Sequence, residues 1–240
     1  MTRPPLIQAY ILSAGRGRRL GGICKGRLLF NGQPLVVRQA RAMLGAGVAR
    51  VNIVVGHEAA SVREAFGGAM ADDLRDTGLE QVAFLEVSEG EGAATADPDI
   101  QLSVRCGLLN AKAWLAMHPD ALGILISLVD LPLLTEDDIL HLIDVARKQD
   151  ASVVIPESPD RQPGHPIWLS QRAVMALPAE ENGFSLREIL HHNSSSDGIG
   201  VHRMHSNRCG YFYDLDTFDD IEKFHREFGA AVSFPTEYKS

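Results

Sequence analysis

The sequence of 240 residues has few cysteines and few aromatic residues, and it contains no long hydrophobic run. Its three cysteines, Cys24, Cys106 and Cys209, lie far apart and include no C-x-x-C pair, so neither a disulfide framework nor a structural zinc site is expected. No apolar run approaches the ~20 residues of a membrane span, and the N-terminal MTRPPL lacks the apolar region of a signal peptide. We therefore expect a cytoplasmic protein that makes no contact with a membrane.

Negative charge is missing from the first quarter of the chain, although the whole chain has a formal net charge of -8. The first acidic residue is Glu58, and nine of the 23 lysines and arginines precede it. Such asymmetry is typical of a nucleic-acid arm, a membrane-surface patch or a site for a small polyanion. These cations alternate with apolar segments, whereas nucleic-acid binding usually needs a broad basic face. We therefore expect a small phosphorylated ligand and no nucleic acid.

Apolar, β-branched runs alternate along the chain with segments of helical periodicity. This alternation predicts an α/β fold, a three-layer sandwich in which helices cover both faces of a mainly parallel, Rossmann-like sheet. We expect one domain over residues 1–240, with a mobile insertion around residues 67–99 and a tail after residue 228. The predicted strands are 7–12, 51–55, 82–87, 122–128 and 152–155, and the predicted helices are 34–44, 59–66, 102–117 and 136–148.

The densest cluster of cations and glycines is the segment LSAGRGRRLGGICKG, residues 12–26, which we call the cation loop. It follows the first predicted strand, and ligands of open α/β sheets bind outside the carboxyl ends of strands. Its glycines let backbone N–H groups approach an anion, and Arg16, Arg18, Arg19 and Lys25 can neutralise phosphate. The spacing matches neither G-x-G-x-x-G nor a P-loop. We predict a phosphate loop of another kind; the alternative is a solvated turn with scattered arginines.

Two carboxylate-bearing segments accompany this loop. In ISLVDLPLL, Asp130 ends an apolar strand just before Pro132, which suits a Mg²⁺ ligand that works together with phosphate oxygens. In YDLDTFDDIEKF, Asp214 and Asp216 share one face of an extended stretch, and Thr217 opens a helix. For both segments the alternative interpretation is an ordinary turn or helix cap.

Five motifs, read in order along the chain, resemble those of one enzyme family. The first, LSAGRGRRLGGICKGRLLFNGQPL, is similar to L-A-[AG]-G-x-x-x-R-M-G-x-x-K-x-L-L-x-x-x-G-x-P-L of the nucleotidyltransferases that attach a nucleotide to molybdopterin. The others are QLSVRCGL (101–108), VDLP (129–132), GHP (164–166) and DLDT (214–217). The resemblance implies the GT-A-like fold of nucleotide-diphospho-sugar transferases.

The same resemblance implies a Mg²⁺-dependent transfer of CMP or GMP from a nucleoside triphosphate to a phosphorylated acceptor, with release of pyrophosphate. Molybdopterin is the expected acceptor, and a molybdoenzyme or its chaperone is a further expected partner. The step Ser13-Ala14-Gly15 and residues 103–108 look more like the cytidylyltransferase branch than the guanylyltransferase branch. We therefore expect CTP to be preferred over GTP.

Residue roles follow from the resemblance, position by position. Arg19 and Lys25 would stabilise the triphosphate, and together with Asp130 they form the expected catalytic set. The expected metal ligands are Asp130, Asp214 and Asp216, the expected acceptor residue is His165, and the expected nucleotide-binding residues are Leu12, Ser13, Ala14, Gly15, Gly17, Arg19, Lys25, Ser103 and Arg105.

The sequence also departs from the family pattern. Leu20 stands where the family has methionine, and Phe218 where it has proline. Gln101 alters the segment around Ser103, which we expect to be a serine-rich loop that contacts the base or the ribose. Two rival functions remain at this point. One is a sugar- or alcohol-phosphate nucleotidyltransferase with the same phosphate-handling residues, and the other is a nucleotide-binding module without catalysis.

Overall fold

The computed structural model describes residues 6–70, 81–87, 98–177, 200–229 and 232–235. Most of the predicted insertion around residues 67–99 and most of the tail after residue 228 lie outside these ranges. Within them, no helix is both long enough and apolar enough to cross a membrane.

All five predicted strands and all four predicted helices are present, with ends that shift by at most four residues. The strands are β1 (Ile7–Ser13), β2 (Leu29–Phe30), β3 (Gln33–Pro34), β4 (Arg50–Val55), β5 (Val82–Glu86), β6 (Gly123–Leu128), β7 (Val153–Glu157), β8 (Ile167–Ser170), β9 (Val201–His205) and β10 (Val232–Ser233). The α-helices are α1 (Leu35–Gly45), α2 (Ala59–Met70), α3 (Pro98–Met117), α4 (Glu136–Lys148), α5 (Gln171–Ala176) and α6 (Phe218–Phe228).

Seven strands form the central sheet, in the order β5-β4-β1-β6-β8-β7-β9. The pairs β1–β4, β1–β6, β4–β5 and β7–β9 are parallel, whereas β8 runs antiparallel to β6 and β7. The prediction of an α/β fold with a mainly parallel sheet is therefore confirmed. Neither β8 nor β9 was predicted, because β8 has only four residues and β9 is an edge strand of mixed polarity, VHRMH.

Hydrophobic side chains pack against both faces of this sheet. Ile11 of β1 belongs to the core cluster that includes Met43 of α1 and Leu142 of α4, whereas Tyr10 belongs to a second cluster that includes Leu115 of α3. Successive residues of a strand point to opposite faces, so both faces of β1 are covered and all its residues are buried. This double burial explains why the strand is apolar along almost its whole length.

A smaller antiparallel sheet, β10-β2-β3, lies beside a third core cluster. Leu20 of the cation loop is completely buried in this cluster, together with Phe30 of β2 and Phe224 of α6. The rings of Phe30 and Phe224 meet edge to face, with centroids 5.7 Å apart. Leucine in place of the family's methionine thus keeps an apolar anchor that ties the cation loop to the C-terminal helix.

Both carboxylate-bearing segments of the predicted site run directly into a capped helix. At the start of α4, Thr135 Oγ1 accepts the Asp138 N–H at 3.3 Å, and the Asp138 carboxylate accepts the Thr135 N–H at 3.0 Å. Thr217 and Asp220 make the same pair of bonds at the start of α6, at 3.2 and 2.7 Å. Each of these reciprocal pairs is a capping box. It satisfies backbone N–H groups that the first helical turn leaves unpaired, and so defines where the preceding segment ends.

Replacing Thr135 with alanine removes the oxygen that accepts the Asp138 N–H. We expect the free energy of unfolding to fall by about 1 kcal/mol, the usual loss for an N-cap of this kind. Equilibrium urea denaturation measures the change. Thr135→Ser keeps the hydroxyl and is the matched control; equal stability of the alanine and serine variants would show that this cap does not stabilise α4.

Candidate active site

A cleft opens at the carboxyl ends of β1 and β6, beside the N-terminal part of α3. It holds about 500 Å³ of empty space, part of which is open to solvent. Among the described residues, Arg19 and Arg105 are the predicted nucleotide-binding residues that do not line it. The lining residues are Leu12, Ser13, Ala14, Gly15, Gly17, Lys25, Ile100, Ser103, Leu128, Val129 and Asp130.

Two glycines let the cation loop fold back tightly on the end of β1. Gly17 has a φ of +56°, and a Cβ there would lie 1.8 Å from the Ile23 carbonyl oxygen. A Cβ on Gly26 would lie 2.4 Å from Ser13 Oγ. A larger residue at Gly17 would therefore open the loop itself, and one at Gly26 would push the segment that carries Lys25 away from the end of β1.

Charged side chains from three segments meet at the mouth of this cleft. The Lys25 ammonium donates to Asp130 Oδ2 at 2.6 Å and to Asp216 Oδ1 at 2.5 Å. Arg19 pairs with the other oxygen of Asp216. Burial of Lys25 would lower its pKa, but Asp130 and Asp216 outweigh this effect and raise the pKa above its ordinary value. The lysine is therefore held in its charged form between two carboxylates.

Asp130 is the most buried carboxylate of this group, with 6% of its surface exposed. Lys25 occupies its Oδ2, whereas its Oδ1 is buried and has no hydrogen-bond partner in the described part of the chain. A buried polar atom without a partner is uncommon, because desolvation of such a group costs about 1–3 kcal/mol. Oδ1 thus retains unused capacity to bind a cation or a donor.

Asp214 and Asp216 differ in electrostatic environment although they are two residues apart. Loss of solvation by the surrounding protein, and then the negative charge of Asp130, raise the pKa of Asp214 above its ordinary value. Partial burial would also raise the pKa of Asp216, but its hydrogen bonds with Lys25 and Arg19 lower it overall. Over the described ranges, no three His, Cys, Asp or Glu side chains form a group that could hold a metal ion by themselves. A metal bound here would take further ligands from water or a substrate.

His165 lies beside this group, buried from solvent. Its backbone N–H donates to the Tyr211 carbonyl at 2.9 Å, and its Nδ1 is buried with no hydrogen-bond partner among the residues described. Burial lowers the pKa of His165 to about 4, although the charge of Asp130 acts in the opposite direction. The imidazole is therefore neutral at physiological pH.

The expectation of a serine-rich loop around Ser103 was wrong. The segment belongs to α3, and Ser103 faces the cleft with 2% of its surface exposed. Residues two apart on an α-helix point in roughly opposite directions, since a turn takes about 3.6 residues. This is why Arg105 does not line the cleft, and its Nε is buried with no hydrogen-bond partner within the described ranges.

Three apolar cleft residues were missed by sequence reasoning. Leu128 and Val129 directly precede Asp130 at the end of β6, so the strand-end position that identified the aspartate could have identified them too. Nothing in the sequence marked Ile100, because its place in the cleft wall depends on how α3 lies across the sheet.

Comparison with known proteins identifies the family. Residues 9–197 match the MobA-like NTP transferase domain. The chain belongs to this family. A molybdenum cofactor guanylyltransferase of Albidiferax ferrireducens is 38% identical over 81 residues, which is 33% of this chain and 38% of that protein. The bifunctional protein GlmU of Pelobacter propionicus is 44% identical over 64 residues, 26% of this chain and 14% of that protein.

A solved structure shows the same fold over nearly the whole chain. The manganese complex of Rv0371c from Mycobacterium tuberculosis H37Rv gives a TM-score of 0.62 at 20% sequence identity, covering 92% of this chain and 99% of that one. The predicted α/β fold is thereby confirmed. The predicted resemblance to the molybdenum cofactor nucleotidyltransferases is confirmed by the match to the MobA-like NTP transferase domain.

Replacing Asp216 with asparagine removes a negative charge from the partners of Lys25 and Arg19. We expect a triphosphate such as CTP to bind about fivefold more tightly in the absence of metal, since one partly screened charge pair contributes on the order of 1 kcal/mol. Calorimetric titration in EDTA measures this affinity. Asp219→Asn, in the exposed first turn of α6, is the matched control. Unchanged or weaker binding by Asp216→Asn alone would contradict the expectation.

Stability between pH 6.5 and 4 tests the environment of His165. Its folded-state pKa of about 4 lies below the ordinary value of 6.5, so the unfolded chain binds the proton more readily and the folded state loses stability as the pH falls through this window. At the acid end the loss reaches about 3 kcal/mol. Urea denaturation should therefore show a shallower pH dependence for His165→Asn than for wild type. His141→Asn, at an exposed position of α4, should keep the wild-type slope; a wild-type slope in both variants would rule out the buried neutral imidazole.

Proposed function

We propose that the protein transfers CMP from CTP to a phosphorylated small-molecule acceptor, with molybdopterin as the favoured acceptor and pyrophosphate as the leaving group. The observation that carries this proposal is the meeting of Lys25, Asp130 and Asp216 at the mouth of a largely apolar cleft. Membership of the MobA-like family supports the reaction class. The nucleotide and the acceptor are the parts that the experiments below test.

The cleft offers separate surfaces to the two ends of a nucleotide. The side chains of Leu12, Ile100 and Leu128 give it an apolar part that suits a base and a ribose, and Ser103 adds a hydroxyl. At its mouth, the backbone around Gly15 and Gly17 and the cations of the loop suit a triphosphate. A bound nucleotide would therefore place its phosphates next to Lys25.

In this proposal Arg19 and Lys25 neutralise the triphosphate and the departing pyrophosphate. Both now pair with carboxylates of the chain itself. An ammonium has three N–H donors and a guanidinium five, so phosphate oxygens could join these carboxylates or take their place. Where a phosphate oxygen took the place of a carboxylate oxygen, the cation would keep a charged partner. This exchange would align the triphosphate before reaction.

The residues present fit a divalent metal. Mg²⁺ prefers a few carboxylate oxygens combined with substrate phosphates, and Asp130 has a buried oxygen without a partner while Asp214 and Asp216 lie nearby. Asp130, with Asp214 or Asp216, would hold it. When bound, Mg²⁺ would neutralise charge on the reacting phosphate. The manganese complex of a protein with the same fold agrees with this choice of cation class.

The chemical step needs little beyond alignment and charge neutralisation. An oxygen of the acceptor phosphate attacks the α-phosphorus, a new P–O bond forms, and the bond to the β-phosphate breaks. The nucleophile is already ionised, so no general base is required. His165, neutral and buried beside Asp130, adds no positive charge and would contact the acceptor through its unpaired ring nitrogen.

CTP is proposed over GTP because Ser13-Ala14-Gly15 and residues 103–108 resemble the cytidylyltransferase branch. The partial match to a guanylyltransferase makes the opposite choice the main alternative. A sugar- or alcohol-phosphate acceptor, which the same phosphate-handling residues could serve, is the second candidate.

Pyrophosphate release with CTP, GTP, ATP and UTP, each with and without molybdopterin, tests the reaction directly. We expect release that depends on both CTP and molybdopterin. Release with another triphosphate would correct the nucleotide, and release with a sugar phosphate in place of molybdopterin would correct the acceptor. Tight CTP binding without release under any condition would favour a nucleotide-binding module over an enzyme.

Asp130→Asn tests the metal ligand. The change keeps shape and most hydrogen-bonding capacity but removes negative charge at the metal. We therefore expect normal folding and a turnover lower by about 100-fold or more. Each tenfold loss corresponds to about 1.36 kcal/mol in the activation free energy. Pyrophosphate release at saturating Mg²⁺ and urea denaturation are measured in parallel. Asp137→Asn, exposed in the first turn of α4, is the control. A folded Asp130→Asn protein with near-normal turnover would show that Asp130 merely ends a turn.

A further inference from the structure

Two neighbouring side chains of α1 hold the backbone on either side of Asp130. Gln39 Nε2 donates to the carbonyl of Leu128 at 2.8 Å, and Arg38 Nε donates to the carbonyl of Pro132 at 2.6 Å. Leu128 and Pro132 are each two residues from Asp130, one before it and one after it. The turn that presents the carboxylate is thus held symmetrically by a single helix.

Both side chains are themselves kept in place by other contacts. Gln39 is fully buried, and its Oε1 accepts the Ser127 hydroxyl at 3.3 Å. The Arg38 guanidinium lies over the ring of Phe30, 4.7 Å from its centroid, and Phe30 packs edge to face against Phe224 of α6. A guanidinium stacked on an aromatic ring is planar and restricted, so its Nε–H keeps a defined direction.

These contacts position the backbone of the turn and leave the carboxylate available. The Leu215 N–H donates to the Asp130 carbonyl at 3.0 Å, which ties the turn to the segment that carries Asp214 and Asp216. With the carbonyls of Leu128, Asp130 and Pro132 all accepting bonds, the main chain has little freedom to turn. The direction of the Asp130 Cα–Cβ bond is then fixed by the backbone, and Lys25 holds one oxygen of the carboxylate that extends from it.

We propose that Arg38 and Gln39 are positioning residues that aim Asp130 at the metal and the reacting phosphate. The inference rests on the proposed function, because it assumes that Asp130 binds a divalent cation together with a nucleotide. The competing view is that the two side chains simply hold α1 against the sheet, in which case their loss would lower stability and leave metal binding unchanged.

Arg38→Met is the principal variant, since it keeps an unbranched side chain of similar reach and removes the donor. Arg63→Met is the matched control. Arg63 also stacks on a phenylalanine, 4.9 Å from the ring centroid of Phe84, and it pairs with Glu86 on β5, an edge strand three positions from β6 in the central sheet. Arg38→Lys keeps the charge and a donor, and Gln39→Met removes the second bond independently.

Three measurements separate the two views: Mn²⁺ affinity by electron paramagnetic resonance with a non-hydrolysable CTP analogue bound, CTP affinity in EDTA, and unfolding in urea. For Arg38→Met and Gln39→Met we expect Mn²⁺ affinity to fall about 10- to 100-fold, the usual range for groups that orient a metal ligand.

The affinity for CTP in the absence of metal should change less than about twofold, because the cations of the cation loop are untouched. This margin corresponds to less than about 0.5 kcal/mol. Arg38→Lys should be intermediate, and Arg63→Met should match wild type.

Unchanged Mn²⁺ affinity in folded Arg38→Met and Gln39→Met would overturn the positioning role, as would an equal loss in Arg63→Met. Should Arg38→Met not fold, the same comparison between Arg38→Lys and wild type decides the question, with equal Mn²⁺ affinity counting against the proposal. The metal titration needs no acceptor. A wild-type protein that binds Mn²⁺ and the CTP analogue but transfers no nucleotide would therefore contradict the proposed reaction while leaving the role of Arg38 and Gln39 measurable.

Discussion

One ammonium group, that of Lys25, joins the three segments from which the candidate site is built. It belongs to the loop after β1, and it contacts Asp130 at the end of β6 and Asp216 just before α6, at 2.6 and 2.5 Å. All three groups are largely or partly withdrawn from water, and a buried charge left without its partner usually costs about 3–5 kcal/mol. The strand ends, the loop and the helix start that carry these charges therefore have to converge.

Close packing within the cation loop explains two of its glycines and the buried Leu20. Gly17 and Gly26 allow backbone and side-chain atoms to approach where a Cβ would overlap them, and Leu20 anchors the loop in the small core. The densest cluster of cations in this acidic protein thus lies beside the cleft. At physiological ionic strength, screening over about 8 Å weakens the repulsion from distant carboxylates. Local cations, rather than the net charge of -8, would then govern binding of an anion.

The presence of cations and carboxylates in one site becomes understandable under the proposed function. Without a ligand they neutralise each other, which lets the site fold without buried unpaired charge. A triphosphate and a divalent cation would together replace these internal partners, phosphate for carboxylate and metal for ammonium. Either ligand alone would leave charges of one sign in the site without their internal partners.

Local patterns in the sequence determined the parallel strands, the main helices, the cation loop and the position of Asp130 at a strand end, because periodicity, glycine density and capping residues act over a few neighbouring positions. The tertiary structure alone decided that Lys25 lies between Asp130 and Asp216, which are 105 and 191 residues away in sequence. It also decided that the Ser103 side chain faces the cleft, that β8 runs antiparallel between β6 and β7, and that α1 holds the turn around Asp130. The physical reason is the same in each case: these contacts depend on the order of strands and on bonds to backbone carbonyls, which every residue possesses and no side-chain pattern encodes.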